Sequence, residues 1–315
     1  MVVYLADKLP DHAKKQLEEL GCEVVNNPGA TADELNKGVE GMVLIVRSTK
    51  VQAPCIQSSP NLKLIIRAGA GVNNIDLETA AKTGVFVANC PGQNSIAVAE
   101  LTMGLILSLD RQIPDNIIDF RNGKWNKALF SKAEGVFGKT LGIIGTGNIG
   151  QAVIERAHAF GMPVVAWSRS LTPERAEELG VTYAENVEKV AAQCDVLSVH
   201  LAMSPQTKNI ISAEVLAALP DGSMFINTSR AGVVDEEALF TEVKSGRLRA
   251  GIDVFNDEPE FKTGDFSNRF QELPGAYVTH HIGASTQQAQ NAVALDAIDI
   301  VRGYKQNGTV RNKVV

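Results

Sequence analysis

Cysteine is scarce, with four residues in 315, and Cys22, Cys55, Cys90 and Cys194 stand far apart with no CxxC pair. That spacing excludes a zinc ribbon and a disulfide framework, and it points to a reducing compartment with no metal site. The chain also lacks any Lys/Arg-rich run and carries a net charge of −6, which excludes the electrostatic footprint of a nucleic-acid binder. No stretch reaches about 18 uninterrupted apolar residues, and the first eight residues have neither the basic start nor the apolar run of a signal peptide. The expectation is a cytoplasmic protein whose partners are small molecules, not membranes or nucleic acid. There is no short-period repeat and no low-complexity tract.

What is present is an ordinary globular composition, 44% hydrophobic and 21% charged. A chain of 315 residues exceeds the size of a single growing core, so two domains of roughly 100–200 residues with a cleft between them are expected. The first 90 or so residues alternate apolar runs at 2–6, 23–25, 42–46, 63–66 and 85–89 with helical stretches at 11–20, 32–37 and 76–82. Strands without polar alternation imply a parallel sheet covered on both faces. A long helical stretch at 97–109 and a polar segment around 121–127 then lead into six further strand-like runs at 140–144, 164–167, 196–199, 224–227, 250–254 and 277–279. The fold class is α/β, two doubly wound parallel-sheet domains. A final helical stretch, 285–303, is long enough to pack back onto the first domain and make it discontinuous.

Gly145-Thr146-Gly147-Asn148-Ile149-Gly150 follows one of these strands and opens a helical run. In that context the first glycine makes a tight turn, the second admits a pyrophosphate to the backbone, and the third lets helix and strand close together. The phosphates then lie at the helix N-terminus. An acid expected about 20 residues on, to bond the adenosine ribose, is missing: the next strand ends in Ser168-Arg169. A hydroxyl and a guanidinium suit a 2′-phosphate, so NADP is plausible beside NAD, although Arg169 stacking on adenine would permit NAD equally.

Ligands of open α/β sheets bind beyond the strands' carboxyl ends, and here those ends carry Gly145, Ser168, His200, Thr228-Ser229-Arg230, Asp253 and His281. Hydride transfer to or from a carboxylate-bearing substrate needs a cation and a near-neutral base. Arg230 supplies the first and a histidine the second. If the 277–281 run alternates faces, His281 and His280 point opposite ways, and parity alone chooses neither. Glu258, beside Pro259, is the best-placed carboxylate to fix the base's tautomer, or else a solvated loop charge.

Taken together, Arg67–Val72, Gly145–Gly150, Asn227–Gly232, Asp253-Val254-Phe255 with Glu258-Pro259, and His281–Thr286 resemble the D-isomer-specific 2-hydroxyacid dehydrogenases over nearly the whole chain. Val46–Val51, Gly283–Thr286 and Gly123-Lys124-Trp125 are similar to the family's phosphoglycerate dehydrogenase branch. The resemblance implies a flavodoxin-like substrate domain at 1–95 plus 286–315 and a Rossmann nucleotide-binding domain at 96–285. It implies a catalytic trio of Arg230, Glu258 and His281. Asp253 would hold the nicotinamide carboxamide, alongside cofactor contacts from Gly145, Gly147, Asn148, Ile149, Gly150, Ser168, Arg169, His200 and Thr228. The loop Gly69, Ala70, Gly71 and Val72 would offer N–H groups to the substrate carboxylate. Arg47 and Arg67 would reach a distal phosphate, unless they are surface ion-pair partners. A homodimer through the nucleotide domain follows too, with Trp125 inserted into the partner. The chain stops at Val315, so no serine-sensing domain and no serine feedback are expected. The competing readings are a glyoxylate or hydroxypyruvate reductase of the same fold and a dinucleotide-sensing corepressor or scaffold.

Overall fold

The computed structural model describes residues 1–259 and 263–315, which divide into two compact units, Met1–Asn94 with Ala284–Val315, and Ser95–Gly283. In the first unit five parallel strands, β1 (Val2–Leu5), β2 (Glu23–Asn26), β3 (Val43–Val46), β4 (Leu64–Arg67) and β5 (Phe86–Asn89), lie in the order β2-β1-β3-β4-β5. This is the flavodoxin-like winding, with its switch point between β1 and β3. All four residues of β3 are buried, which is why that run is continuously apolar. Helices α1 (Asp11–Glu19), α2 (Ala32–Leu35), α3 (Ala53–Gln57) and α4 (Leu77–Thr83) connect the strands. Two of them follow local signals: Thr31 and Glu34 form a capping box on α2, and Gly84 ends α4 at φ +71°.

The second unit opens with α5 (Ser95–Arg111), α6 (Ile113–Arg121) and α7 (Lys127–Phe130). Seven parallel strands follow, β6 (Leu141–Ile144), β7 (Val164–Trp167), β8 (Thr182–Tyr183), β9 (Val196–Val199), β10 (Met224–Asn227), β11 (Arg249–Ile252) and β12 (Ala276–Val278). The connecting helices are α8 (Asn148–Ala159), α9 (Pro173–Glu178), α10 (Val187–Ala191), α11 (Ala213–Ala218) and α12 (Glu236–Lys244). The strand order is β12-β11-β10-β9-β6-β7-β8, the doubly wound arrangement whose switch point falls between β6 and β9. Two cores flank this sheet, one around Phe225, Val215 and Leu239, the other around Ile106, Val153 and Ile226. Truncating a fully buried residue such as Phe225 to Ala would cost about 3–5 kcal/mol. The last helix, α13 (Gln287–Asn307), buries Ala294, Ala297, Ile298 and Val301 in the first unit's core beside Val3, Leu5 and Leu64.

Four elements depart from the sequence expectation. The second sheet has seven strands rather than six, because β8 is a two-residue edge strand with both residues exposed. Helix α3 is five residues long with Pro54 in its first turn, too short to show a period. Helices α6 and α7 flank the polar segment around 121–127, where no helix was expected, and they bury none of their residues. No helix among the described residues is long and apolar enough to cross a membrane.

Candidate active site

The glycine turn after β6 divides its work among three residues. Gly145 has φ +102°, and a Cβ there would stand 2.5 Å from the His200 carbonyl oxygen. At Gly150 a Cβ would stand 2.0 Å from the Gly145 carbonyl oxygen, so only glycine lets α8 close on the turn. At Gly147, the N-cap of α8, a Cβ would meet nothing within 4 Å. The exposed backbone of Gly147 and Asn148, with Ile149 behind it, thus offers unneutralised helix N–H groups, since no acid stands in the first turn of α8. This cradle fits a dinucleotide pyrophosphate. Thr146 Oγ1 donates to Ser168 Oγ at 3.0 Å, while Arg169 is exposed at the end of β7.

Beyond β9, His200 is buried, its Nε2 is 2.9 Å from Ser198 Oγ, and its Nδ1 has no partner among the described residues. Burial pushes its pKa down to about 3, so the ring is neutral at pH 7. Beyond β10, Asn227 folds the chain back on itself. Its Oδ1 accepts from Ser229 N and Oγ at 3.0 and 2.8 Å, and its Nδ2 donates to the Arg230 carbonyl at 3.0 Å. Arg230 Nη1 donates to the Ser229 carbonyl at 2.6 Å, and Thr228 Oγ1 lies 2.9 Å from Thr102 Oγ1. The guanidinium is thereby aimed by a turn that is itself hydrogen-bonded.

Beyond β11 and β12 the groups converge. His281 Nδ1 is 2.7 Å from Glu258 Oε2, and Glu258 Oε1 accepts the Phe255 N–H at 3.2 Å. The Glu258 contact raises the His281 pKa against the opposing effect of burial; Asp253 adds to the rise and Arg230 reduces it. With Nδ1 committed to a carboxylate, Nε2 is the nitrogen left for proton exchange. The expected strict alternation does not reach this residue, because β12 ends at Val278 and His281 sits at φ +52°. Asp253 holds that conformation: Thr279 Oγ1 and Ile282 N donate to its Oδ1, Gly283 N to its Oδ2, and His281 N to its carbonyl.

In the first unit Arg47 and Arg67 stand at the carboxyl ends of adjacent strands, with Val46 opposite Arg67. The Arg67 guanidinium lies against Gly69, where a Cβ would come within 1.7 Å of Nη1. Gly69, at φ +149°, spends its own N–H on the Arg67 carbonyl at 2.8 Å. The loop's anion-binding capacity therefore falls to Ala70, Gly71 and Val72, whose N–H groups meet no acceptor among the described residues. Asn89 Nδ2 fixes the Ala70 carbonyl at 2.5 Å. Asp7, which sequence reasoning passed over, sits at the β1/β3 switch point and accepts the N–H groups of Arg47, Ser48 and Thr49 at 2.7–3.0 Å. Its signal in the sequence is an acid just past a strand's carboxyl end. Ser198, two residues before His200, was equally unread.

These features define a doubly wound α/β protein with a glycine turn shaped for a dinucleotide and a histidine buttressed by a carboxylate. A model of the D-isomer specific 2-hydroxyacid dehydrogenase NAD binding domain matches residues 103–283, more than half of the chain, and the chain belongs to that family. It is 40% identical over 315 residues to D-3-phosphoglycerate dehydrogenase of Methanocaldococcus jannaschii, spanning 99% of this chain but 59% of that protein's length. It is also 40% identical over 310 residues to hydroxypyruvate reductase of Thermotoga maritima, spanning 97% of this chain and 98% of that one. Among solved structures, a Thermus thermophilus protein superposes with a TM-score of 0.89 at 32% identity, each chain covered completely.

Proposed function

We propose that this chain is a cytoplasmic NAD(P)-dependent oxidoreductase of D-2-hydroxy acids, with 3-phosphoglycerate and 3-phosphohydroxypyruvate as its physiological pair, the first step of serine biosynthesis. The observation that carries the reading is the 2.7 Å contact between His281 Nδ1 and Glu258, on the sheet edge that also presents Arg230. The nicotinamide ring, when bound, supplies the hydride acceptor or donor. In oxidation His281 Nε2 takes the hydroxyl proton, and Glu258 stabilises the resulting imidazolium. Arg230 holds the α-carboxylate as a bidentate fork and polarises the forming carbonyl.

Gly147, Asn148 and Ile149 would hold the pyrophosphate, with Gly145 and Gly150 shaping the turn. His200, Thr228 and Asp253 would line the nicotinamide end, and Ser168 with Arg169 would take the ribose end. No carboxylate replaces Ser168, so NADP is accepted beside NAD. Arg47 and Arg67 bind the substrate phosphate; Ala70, Gly71 and Val72 take its carboxylate. The exposed side chains of the α6–α7 segment, Trp125 at 79% and Phe120 at 69%, support a homodimer through the nucleotide-binding unit.

A reductase of hydroxypyruvate or glyoxylate is the second reading, favoured by the Thermotoga maritima relative, whose full length this chain matches. Steady-state kcat/KM for 3-phosphoglycerate, hydroxypyruvate and glyoxylate with both cofactors tests the proposal. Preference for the phosphorylated pair, lost in Arg47→Ala, supports the first reading; equal losses on glyoxylate defeat it. No turnover of any of the three would defeat both.

A further inference from the structure

Glu236 is the first residue of α12, a position where carboxylates ordinarily stand in water beside the helix N-terminus. Its side chain is only 11% exposed, whereas that of its neighbour Glu237 is 75% exposed. Capping does not explain the burial, because Asp235 Oδ1 already accepts the Ala238 N–H at 3.0 Å. Glu236 Oε2 instead accepts the N–H of Asn256 at 2.8 Å, twenty residues along the chain. Its Oε1 lies 3.7 Å from Arg269 Nη2. That guanidinium is itself immobilised, paired with Glu237 and lying 4.7 Å from the Phe240 ring centroid.

We infer that Glu236 is a positioning residue for the acid/base pair, anchoring from α12 the loop that presents Glu258 to His281. The inference rests on the reading of His281 as the base. Between Phe255 and Glu258 two successive N–H groups are bound. Phe255 donates to Glu258, which is part of the same loop and cannot fix it in space. Asn256 donates to Glu236, which belongs to a helix of the core. Phe255 adds a stacked contact with Phe266, 5.6 Å between centroids, but an aromatic stack tolerates sliding that a charge-assisted hydrogen bond does not. Freed from Glu236, the loop would retain Glu258 and lose its fixed distance to the imidazole. The charges acting on His281 are Glu258, Asp253 and Arg230, and of these Glu258 alone sits on a loop held by Glu236.

The test uses the full chain and two readouts: NMR titration of the His281 imidazole without substrate, and the pH profile of kcat/KM. In Glu236→Ala the imidazole pKa should fall by roughly 0.5–1 unit, with the profile moving to lower pH in step. Glu236→Gln, which keeps an acceptor oxygen for Asn256, should restore most of the wild-type value. Arg269→Met leaves the carboxylate in place but unclamped and should shift the titration the same way by less; it decides the matter if Glu236→Ala does not fold. A wild-type His281 titration in folded Glu236→Ala, or equal shifts in Ala and Gln, would overturn the inference. A wild type inert towards every 2-hydroxy acid would instead defeat the functional reading, and the titration would still decide this one.

Discussion

Two alanine substitutions in one glycine turn should have opposite consequences. At Gly150 an added Cβ would lie 2.0 Å from the Gly145 carbonyl oxygen, about 1.4 Å short of an ordinary contact, and both partners are backbone. The helix must back away from the turn, at a cost of about 1–3 kcal/mol. For a unit of this size that lowers Tm by roughly 2–12 °C. At Gly147 the same methyl meets nothing within 4 Å, and φ −71° with ψ −168° suits alanine. The free protein should lose less than about 1 kcal/mol, the N-cap preference alone. The methyl would, however, occupy the surface a pyrophosphate must approach. Losing one or two charge-assisted contacts of about 1.5–3 kcal/mol each should weaken NADH binding at least tenfold. Thermal melting and NADH fluorescence titration, run on both variants, separate the effects. Wild-type NADH affinity in Gly147→Ala would show that the pyrophosphate does not lie on this helix end.

Four further outcomes are expected. Glu258→Gln removes the carboxylate charge behind the contact that most raises the His281 pKa, so the pH profile of kcat/KM for oxidation should move to lower pH; an unmoved profile would count against the pairing. His200, with a folded pKa of about 3 against about 6.5 unfolded, contributes stability present above pH 6.5 and lost as pH falls towards 3, at up to about 1.4 kcal/mol per unit. His200→Gln should flatten urea midpoints measured across that window. Ser168→Asp should swing the kcat/KM ratio towards NAD, and Arg169→Ala should reduce NADP use; a ratio indifferent to both would leave Arg169 stacking on adenine. Trp125→Ala should shift light-scattering mass towards the monomer, and a wild-type monomer would defeat the dimer reading.

Strands buried on both faces, such as β3, were legible because their apolar runs are continuous, and the boundaries of β7, β9 and β10 match residue for residue. The glycine turn was legible because its three glycines stand at fixed spacing between a strand and a helix; Gly145 and Gly150 answer steric demands within the chain, and Gly147 leaves the helix end open. Helices α6 and α7 were not, since a helix that buries nothing in its own chain has no core-facing stripe to betray it. Asp7 and Glu236 were missed for a related reason. Each acts on backbone N–H groups far along the chain, and no spacing rule connects a carboxylate to a peptide group forty or twenty residues away.

The choice between His280 and His281 shows where pattern stops and geometry begins. Alternation presumes a strand, yet the strand has ended three residues before His281, whose left-handed backbone must be imposed by neighbours. Asp253 imposes it. A carboxylate offers about four acceptor sites, and here Thr279, Ile282 and Gly283 occupy three of them while the Asp253 carbonyl takes the His281 N–H. At most one site, on Oδ2, is left for a carboxamide. The residue expected to serve the cofactor is thus first the clamp of the loop that carries His281, with one acceptor position to spare.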